Sequence, residues 1–141
     1  MTDLTPGTRS VVIEREMSAP PEKLWRALTQ PHLIAEWLMQ NDFVPTPGHR
    51  FTLRRSPTPD VNVVINCEVL TTEPNSVLAY SWSAYGLESV VTFTLTPTAS
   101  GTLLRVEQAG FPTDQNAAYK GARASWPHFL DALATLVSRP D

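Results

Sequence analysis

The spacing of apolar residues along the chain changes twice. Residues 8–17 alternate, so that Val11, Ile13, Arg15 and Met17 fall on one face, as in a strand. The next twenty residues have apolar positions three and four apart, which is typical of helices. Alternation returns after residue 48 and gives way to a second helical stripe near residue 116. The pattern therefore predicts a strand, two short helices, five strands and one long helix.

Prolines mark the ends of the two short helices. Ser18 is a candidate N-cap, and Pro20 and Pro21 suit a first helical turn. Pro31 should end the first helix, because the residue before a proline is pushed out of the α region, and should begin the second. The apolar stripes of the two helices are Leu24, Trp25 and Leu28, then Leu33, Ile34, Trp37 and Leu38.

Five strands are predicted between the short helices and the C-terminal stripe. Val91, Phe93 and Leu95 alternate with threonines in the clearest of them. Short turns rich in Pro, Gly, Asn and Ser separate the strands, which favours an antiparallel meander. The predicted strands span residues 50–55, 61–70, 77–82, 88–96 and 101–109.

The C-terminal stripe predicts a helix over residues 116–138, about 34 Å long. Pro127 lies inside it and cannot donate a hydrogen bond to the carbonyl of Arg123. We therefore expect either a kink or a break near Ser125. In the second case Ser125 would cap a new segment with Pro127 in its first turn.

These elements predict an α+β fold in which the sheet grips the last helix. A curved antiparallel sheet of six to seven strands has one apolar face to bury, and only the last helix is long enough to cover it. Contact between a long helix and a curved sheet is often incomplete, so we expect a cleft between them. Residues 8–138 should form a single domain, and residues 1–7 a disordered tail.

Composition excludes several classes of protein. Hydrophobic residues make up 42% of the chain, enough for a globular core. Net charge is −3, with Lys and Arg scattered along the sequence, so we expect no nucleic-acid binding. The one cysteine, Cys67, excludes an internal disulfide and fits a reducing cytoplasm. No signal segment or membrane-spanning apolar run is present, so we expect no membrane insertion.

Several segments carry a family resemblance. Residues 19–37, APPEKLWRALTQPHLIAEW, look like the opening A-P-x-E-x-V-W-x-A-L-T-x-P-x-x-L-x-x-W of one family. GHRF (48–51), CEVLTTEPNSVLAYSW (67–82), GTLLRVEQAGF (101–111) and SWPHFLDAL (125–133) are similar to its later motifs. The chain thus resembles the START-like helix-grip (SRPBCC) superfamily, in the branch named after the activator of Hsp90 ATPase homologue 1. The resemblance implies a cavity between sheet and C-terminal helix.

Two positions depart from that family pattern. Gln108 stands where many members have a histidine, and Ser125 stands where a glycine precedes the tryptophan. An amide has no pKa near neutrality and cannot carry a proton as an imidazole does. The departure at residue 108 therefore weakens any acid–base mechanism inferred from relatives.

Residues whose strand parity or helix position directs them toward the expected cleft are candidate ligand contacts. For Arg15 we favour a solvated head, the alternative being a cation that orients a ligand. For Tyr80 and Trp82 core packing is the default, although aromatic walls also describe a small-molecule pocket. The complete candidate set is Arg15, Tyr80, Trp82, Phe93, Gln108, Tyr119, Arg123 and Trp126. The sequence shows no established catalytic or metal-binding motif, so we expect no metal and no cofactor.

Three functions fit these observations. The first is a binding protein for an apolar or aromatic small molecule. The second is an enzyme of the polyketide cyclase or aromatase type, against which the missing histidine counts. The third is a chaperone partner that stimulates the Hsp90 ATPase, implied only by the family name. We rank them in that order, and the identity of the ligand is not predicted.

Overall fold

A computed structural model describes residues 8–140, apart from the side chain of Pro57. Within that range the chain forms seven strands and three helices. Their order is β1 (Thr8–Met17), α1 (Pro21–Thr29), α2 (Pro31–Trp37), β2 (Gln40–Asn41), β3 (Arg50–Thr58), β4 (Val61–Glu73), β5 (Val77–Ala84), β6 (Leu87–Thr98), β7 (Gly101–Pro112) and α3 (Asn116–Val137). The predicted tail, residues 1–7, lies outside the described residues, and the expected domain bounds stay a prediction.

One antiparallel sheet contains all seven strands, in the order β1-β7-β6-β5-β4-β3-β2. The register shifts between Arg9 and Ser10 in β1 and between Val69 and Thr71 in β4. Such irregularities bend a strand and increase its local twist. The sheet curves around α3, and the predicted α+β helix-grip fold is confirmed. The two-residue strand β2 brings the count to seven, the upper end of the expected range.

The two short helices close one end of the curved sheet. Leu24 and Leu28 are buried, and the indole Nε1 of Trp37 donates a hydrogen bond of 2.8 Å to the carbonyl of Ala27. The Trp37 ring packs edge-on against Phe93 of β6, with ring centroids 6.2 Å apart. The helices are thereby fixed to each other and to the sheet.

Ser18 does not cap α1, so that expectation is wrong. Pro20, in an extended conformation, occupies the N-cap position, and its carbonyl accepts hydrogen bonds from the N–H groups of Lys23 and Leu24. Pro21 is the first helical residue and has no N–H to satisfy. The two prolines therefore set the start of the helix without a side-chain cap, and Ser18 is left exposed.

Helix α3 is continuous through Pro127, so the alternative of a break near Ser125 is wrong. Arg123, whose carbonyl loses its partner at Pro127, is an exposed residue, and water can satisfy an exposed carbonyl. Leu130 and Leu133 beyond the proline are fully buried and hold the helix against the sheet. The cost of one missing hydrogen bond is thus offset by packing on the far side of the proline.

Candidate functional site

A cavity of about 470 Å³ lies between the inner face of the sheet and the first half of α3. Its size falls within the range of sites that bind small molecules and cofactors. The sheet contributes Val63, Ile65 and Leu87, and the helix contributes small residues such as Ala118 and Ala122. Because alanines face the sheet along this half of the helix, the space between the two layers is left unfilled.

Two tryptophans form the aromatic wall of this cavity. Trp82 comes from the inner face of β5 and Trp126 from α3, and their ring centroids are 5.8 Å apart at an interplanar angle of 49°. Trp126 also packs against Phe93, at 6.0 Å, and against Phe129, at 5.6 Å. Phe129 is a further lining residue. Packing against these core rings therefore fixes the position of the Trp126 ring in the wall.

A chain of buried hydrogen bonds crosses the inner end of the cavity. The indole Nε1 of Trp126 donates to Gln108 Oε1 at 2.8 Å, and Gln108 Nε2 donates to Ser89 Oγ at 3.0 Å. Ser89 Oγ in turn donates to the carbonyl of Trp82 at 2.9 Å. Since an indole N–H can only donate, it fixes which end of the Gln108 amide faces Trp126.

Gln108 keeps hydrogen-bonding capacity beyond these contacts. A primary amide has two N–H donors and two acceptor lone pairs, and among the described residues one donor and one lone pair are used. The residue lines the cavity although only 3% of its surface is exposed. The remaining N–H and lone pair can serve a ligand group that enters the cavity.

The mouth of the cavity includes Arg55 in the second half of β3 and Tyr85 at the tip of the β5–β6 hairpin. Tyr85 has a φ of +52° and is 80% exposed, and Gly86 beside it has a φ of +81°. Two successive residues with positive φ correspond to a type I′ turn, in which a tyrosine is an unusual residue. The hairpin tip thus places an aromatic ring at the entrance of the cavity. The backbone conformation of Tyr85 is unfavourable for a tyrosine.

Three of the eight predicted contacts line the cavity: Trp82, Gln108 and Trp126. Tyr80 and Phe93 instead lie in the core, where their rings pack together at a centroid distance of 5.7 Å. Burial raises the pKa of Tyr80 well above its usual range, with a smaller contribution from Cys67. These two side chains therefore contribute to the packing behind the cavity wall.

The other three predicted residues lie on the helix–sheet boundary outside the cavity. Arg15 forms an ion pair of 2.6 Å with Asp131 of α3. The Arg9 guanidinium lies 4.0 Å from the centroid of the Tyr119 ring, and Arg123 lies 5.7 Å from it on an exposed part of α3. A ligand contact by any of the eight residues stays a prediction.

The sequence analysis did not identify several other residues of the site. Arg55 shares the strand parity of the buried Phe51 and Leu53, a signal that was available in the alternation. Ser89 shares the face of the buried Val91 and was also missed; it does not line the cavity but accepts a hydrogen bond from Gln108, which does. Without knowledge of the turn conformation, nothing in the sequence distinguishes Tyr85 from an ordinary exposed loop residue.

A second recess, of about 710 Å³, lies on the opposite face of the sheet. Its lining includes Ser81, Ser83 and Glu88, side chains that alternate with the buried positions of β5 and β6. No aromatic side chain is present among the described residues that line it. We therefore take the smaller cavity beneath α3 as the candidate site. Among residues 8–140, no group of three or more His, Cys, Asp or Glu side chains could hold a metal ion.

Comparisons with known proteins agree with this fold. Protein MLL2253 from Mesorhizobium loti is 55% identical, with a TM-score of 0.88 over 94% of this chain and 99% of its own. CalU16 from Micromonospora echinospora is 26% identical, with a TM-score of 0.78 over 93% of this chain and 77% of its own. No curated protein matches the chain.

DynU16, described as a putative protein in the dynemicin biosynthetic locus, is 26% identical, with a TM-score of 0.79. The match covers 92% of this chain and 47% of that protein.

The family model described as Activator of Hsp90 ATPase homolog 1-like protein matches residues 18–138. That match includes both short helices, the strands of the cavity and all of α3. The chain belongs to the Activator of Hsp90 ATPase homolog 1-like family, within the START-like SRPBCC superfamily.

Proposed function

We propose that this protein binds a small apolar or aromatic molecule in the cavity between the sheet and α3. The observation that carries the proposal is the lining itself: two tryptophan rings and a series of apolar side chains surround one buried amide with unused hydrogen-bonding capacity. Mostly apolar walls with a few oriented polar groups are typical of small-molecule sites. Burial of the ligand would supply the affinity, and Gln108 would orient it.

The packing around the cavity supports the same proposal. Protein interiors are normally close-packed, and unfilled space beside buried side chains costs stability. Here Ala118 and Ala122 stand at half-buried positions of α3 where larger apolar residues would fill the gap. An apolar ligand in that space would recover the lost contacts. The small residues are thus explained if the cavity is a binding site.

The test is a titration with a panel of lipids, flavonoids and polyketides, followed by amide chemical shifts. Binding should shift the signals of residues that line the cavity and quench the fluorescence of Trp82 and Trp126. A ligand should also raise the midpoint of thermal unfolding in a concentration-dependent way. Absence of shifts throughout the panel, with unchanged tryptophan emission, would contradict the proposal.

A variant that fills the cavity makes the test specific. Ala122→Phe adds a ring on the half-buried, cavity-facing side of α3 and should abolish binding. Ala124→Phe places the same ring on an exposed position outside the lining and should leave binding unchanged. If both variants bind as the wild type does, the ligand occupies another site.

A polyketide cyclase-like enzyme is the second candidate, and the similarity to a protein of the dynemicin biosynthetic locus favours it. Among the described lining residues the groups that can ionise are Arg55 and Tyr85, both exposed. Acid–base catalysis in this cavity would depend on them or on bound water. Turnover of a polyketide that survives the double change Arg55→Gln and Tyr85→Phe would exclude these side chains as proton carriers.

A contact with Hsp90 is the third candidate, and it rests on the family description alone. The measurement is the ATPase rate of the cognate Hsp90 with and without this protein, and an unchanged rate would exclude the activity. No helix among the described residues is long and apolar enough to cross a membrane. The expected cytoplasmic location stays a prediction that cell fractionation can test.

A further inference from the structure

Among the described residues that line the candidate cavity, Arg55 carries the one full charge. Arg55 has the strand parity of Phe51 and Leu53, whose side chains are buried on the inner face of β3. It therefore lies at the outer end of an apolar stripe that leads into the cavity. The remaining described lining residues are apolar, aromatic, amide or hydroxyl side chains.

Arg55 has no partner among the described residues that would neutralise its charge. Among the other strand arginines, Arg50 forms an ion pair with Glu68, Arg15 with Asp131 and Arg105 with Glu107, whereas the described residues give no ion pair for Arg9 or Arg54. No described carboxylate or other acceptor forms an ion pair or hydrogen bond with the Arg55 guanidinium. The whole chain has a net charge of −3, so an unpaired cation at the cavity mouth contrasts with the molecule around it.

The inner end of the cavity is suited to a neutral polar group of the ligand, unlike the mouth. There the buried Gln108 amide offers a neutral donor and acceptor, and no described charge lies beside it. An ionised group would be costly to desolvate at that depth, whereas a hydroxyl or carbonyl would be matched. The two ends of the cavity therefore select for a neutral polar group inside and a negative group outside.

We propose that the ligand is an aromatic carboxylate with a hydroxyl or carbonyl at its far end, an inference that rests on the proposed function. The aromatic body lies against Trp82 and Trp126, and the hydroxyl or carbonyl meets Gln108. The carboxylate stays at the mouth, where Arg55 can bind it with two parallel N–H groups. Tyr85 at the same rim covers the outer part of the ring.

The probe is 6-hydroxy-2-naphthoic acid, and its neutral counterpart is 6-hydroxy-2-naphthamide, which has the same shape. Calorimetry at pH 7, where the acid is ionised, gives both dissociation constants. We expect the acid to bind wild-type protein about tenfold more tightly than the amide, a difference typical of a charge-assisted contact. That preference should shrink as salt is raised to about 0.5 M, because the contact is at the rim.

Arg55→Gln should reduce the preference for the acid over the amide to less than about twofold, because binding of the acid is weakened more than binding of the amide. Arg54→Gln is the matched control, since Arg54 is also exposed on β3 but lies outside the lining, and it should preserve the preference. Equal affinities of wild-type protein for acid and amide would overturn this inference and leave cavity binding intact. Failure of both probes to bind, when members of the panel of lipids, flavonoids and polyketides do bind, would overturn this inference and leave the binding function intact.

Discussion

Replacing Gln108 by Leu tests whether the buried hydrogen-bond chain stabilises the fold. Leucine has a similar volume and leaves β7 intact, but it removes the acceptor of the Trp126 indole N–H. Trp126 is 2% exposed, so its N–H would be left without a partner in the interior. Ser89 would keep its hydrogen bond to the carbonyl of Trp82. The change thus isolates one buried donor.

The expected loss follows from the cost of such an orphaned group, which is about 1–3 kcal/mol. The adjacent cavity can admit a water molecule to the indole, so we expect the lower part of that range, about 1–2 kcal/mol. For a domain of this size the loss corresponds to a decrease in melting temperature of about 3–8 °C.

The assay is urea unfolding followed by far-UV circular dichroism, in a double-mutant cycle with Trp126→Phe. Each single change leaves one polar group unpaired, and the double variant leaves neither the indole N–H nor the Gln108 oxygen. The two changes should therefore couple by about 1–2 kcal/mol. A Gln108→Leu variant as stable as the wild type, with no coupling to Trp126, would refute this reasoning.

Further predictions concern three single positions. Tyr85→Asn should stabilise the protein by about 0.5–1 kcal/mol in thermal unfolding, because Asn tolerates the positive φ; a loss of stability would contradict the strain. Burial raises the pKa of Cys67 to about 12, so its thiol should resist Ellman's reagent at pH 8 until urea is added. Between pH 9.0 and about 12 the thiol ionises only in the unfolded chain, so the free energy of unfolding should decrease as pH rises through this range. The Cys67→Ala variant should show a smaller decrease over the same range. Gly101→Ala should cost about 3 kcal/mol or more, since the new Cβ would lie 2.0 Å from the carbonyl oxygen of Met17; a normal melting temperature would contradict it.

The sequence predicted the elements well wherever a period runs over many residues. The alternation around Phe93 gave β6, and the stripe ending in Leu133 and Val137 gave α3 to within one residue at its C-terminus. The expectations that failed concern single residues at element ends or interiors. Ser18 is displaced as a cap by Pro20, and Pro127 leaves the helix intact, because packing elsewhere outweighs one local hydrogen bond.

The candidate site was harder to predict because parity gives a face and not a position along the curved sheet. Tyr80 and Trp82 share the inner face of β5, yet Tyr80 is enclosed by the rings of Phe43 and Phe51 while Trp82 reaches the cavity. Which of two neighbours reaches open space depends on sheet curvature and on the distant helix. Neither quantity can be read from spacing along one strand.

The proline inside α3 divides the helix into parts of unequal anchoring. Within the described chain, residues 116–125 have no buried side chain, whereas Trp126, Leu130, Leu133 and Val137 are all buried. Segments with few buried contacts open locally at lower free energy than the core. We therefore expect faster amide exchange before Pro127 than after it. Local opening of residues 116–125 would then let a ligand enter and leave the cavity. The rate of that opening would set the residence time of the ligand.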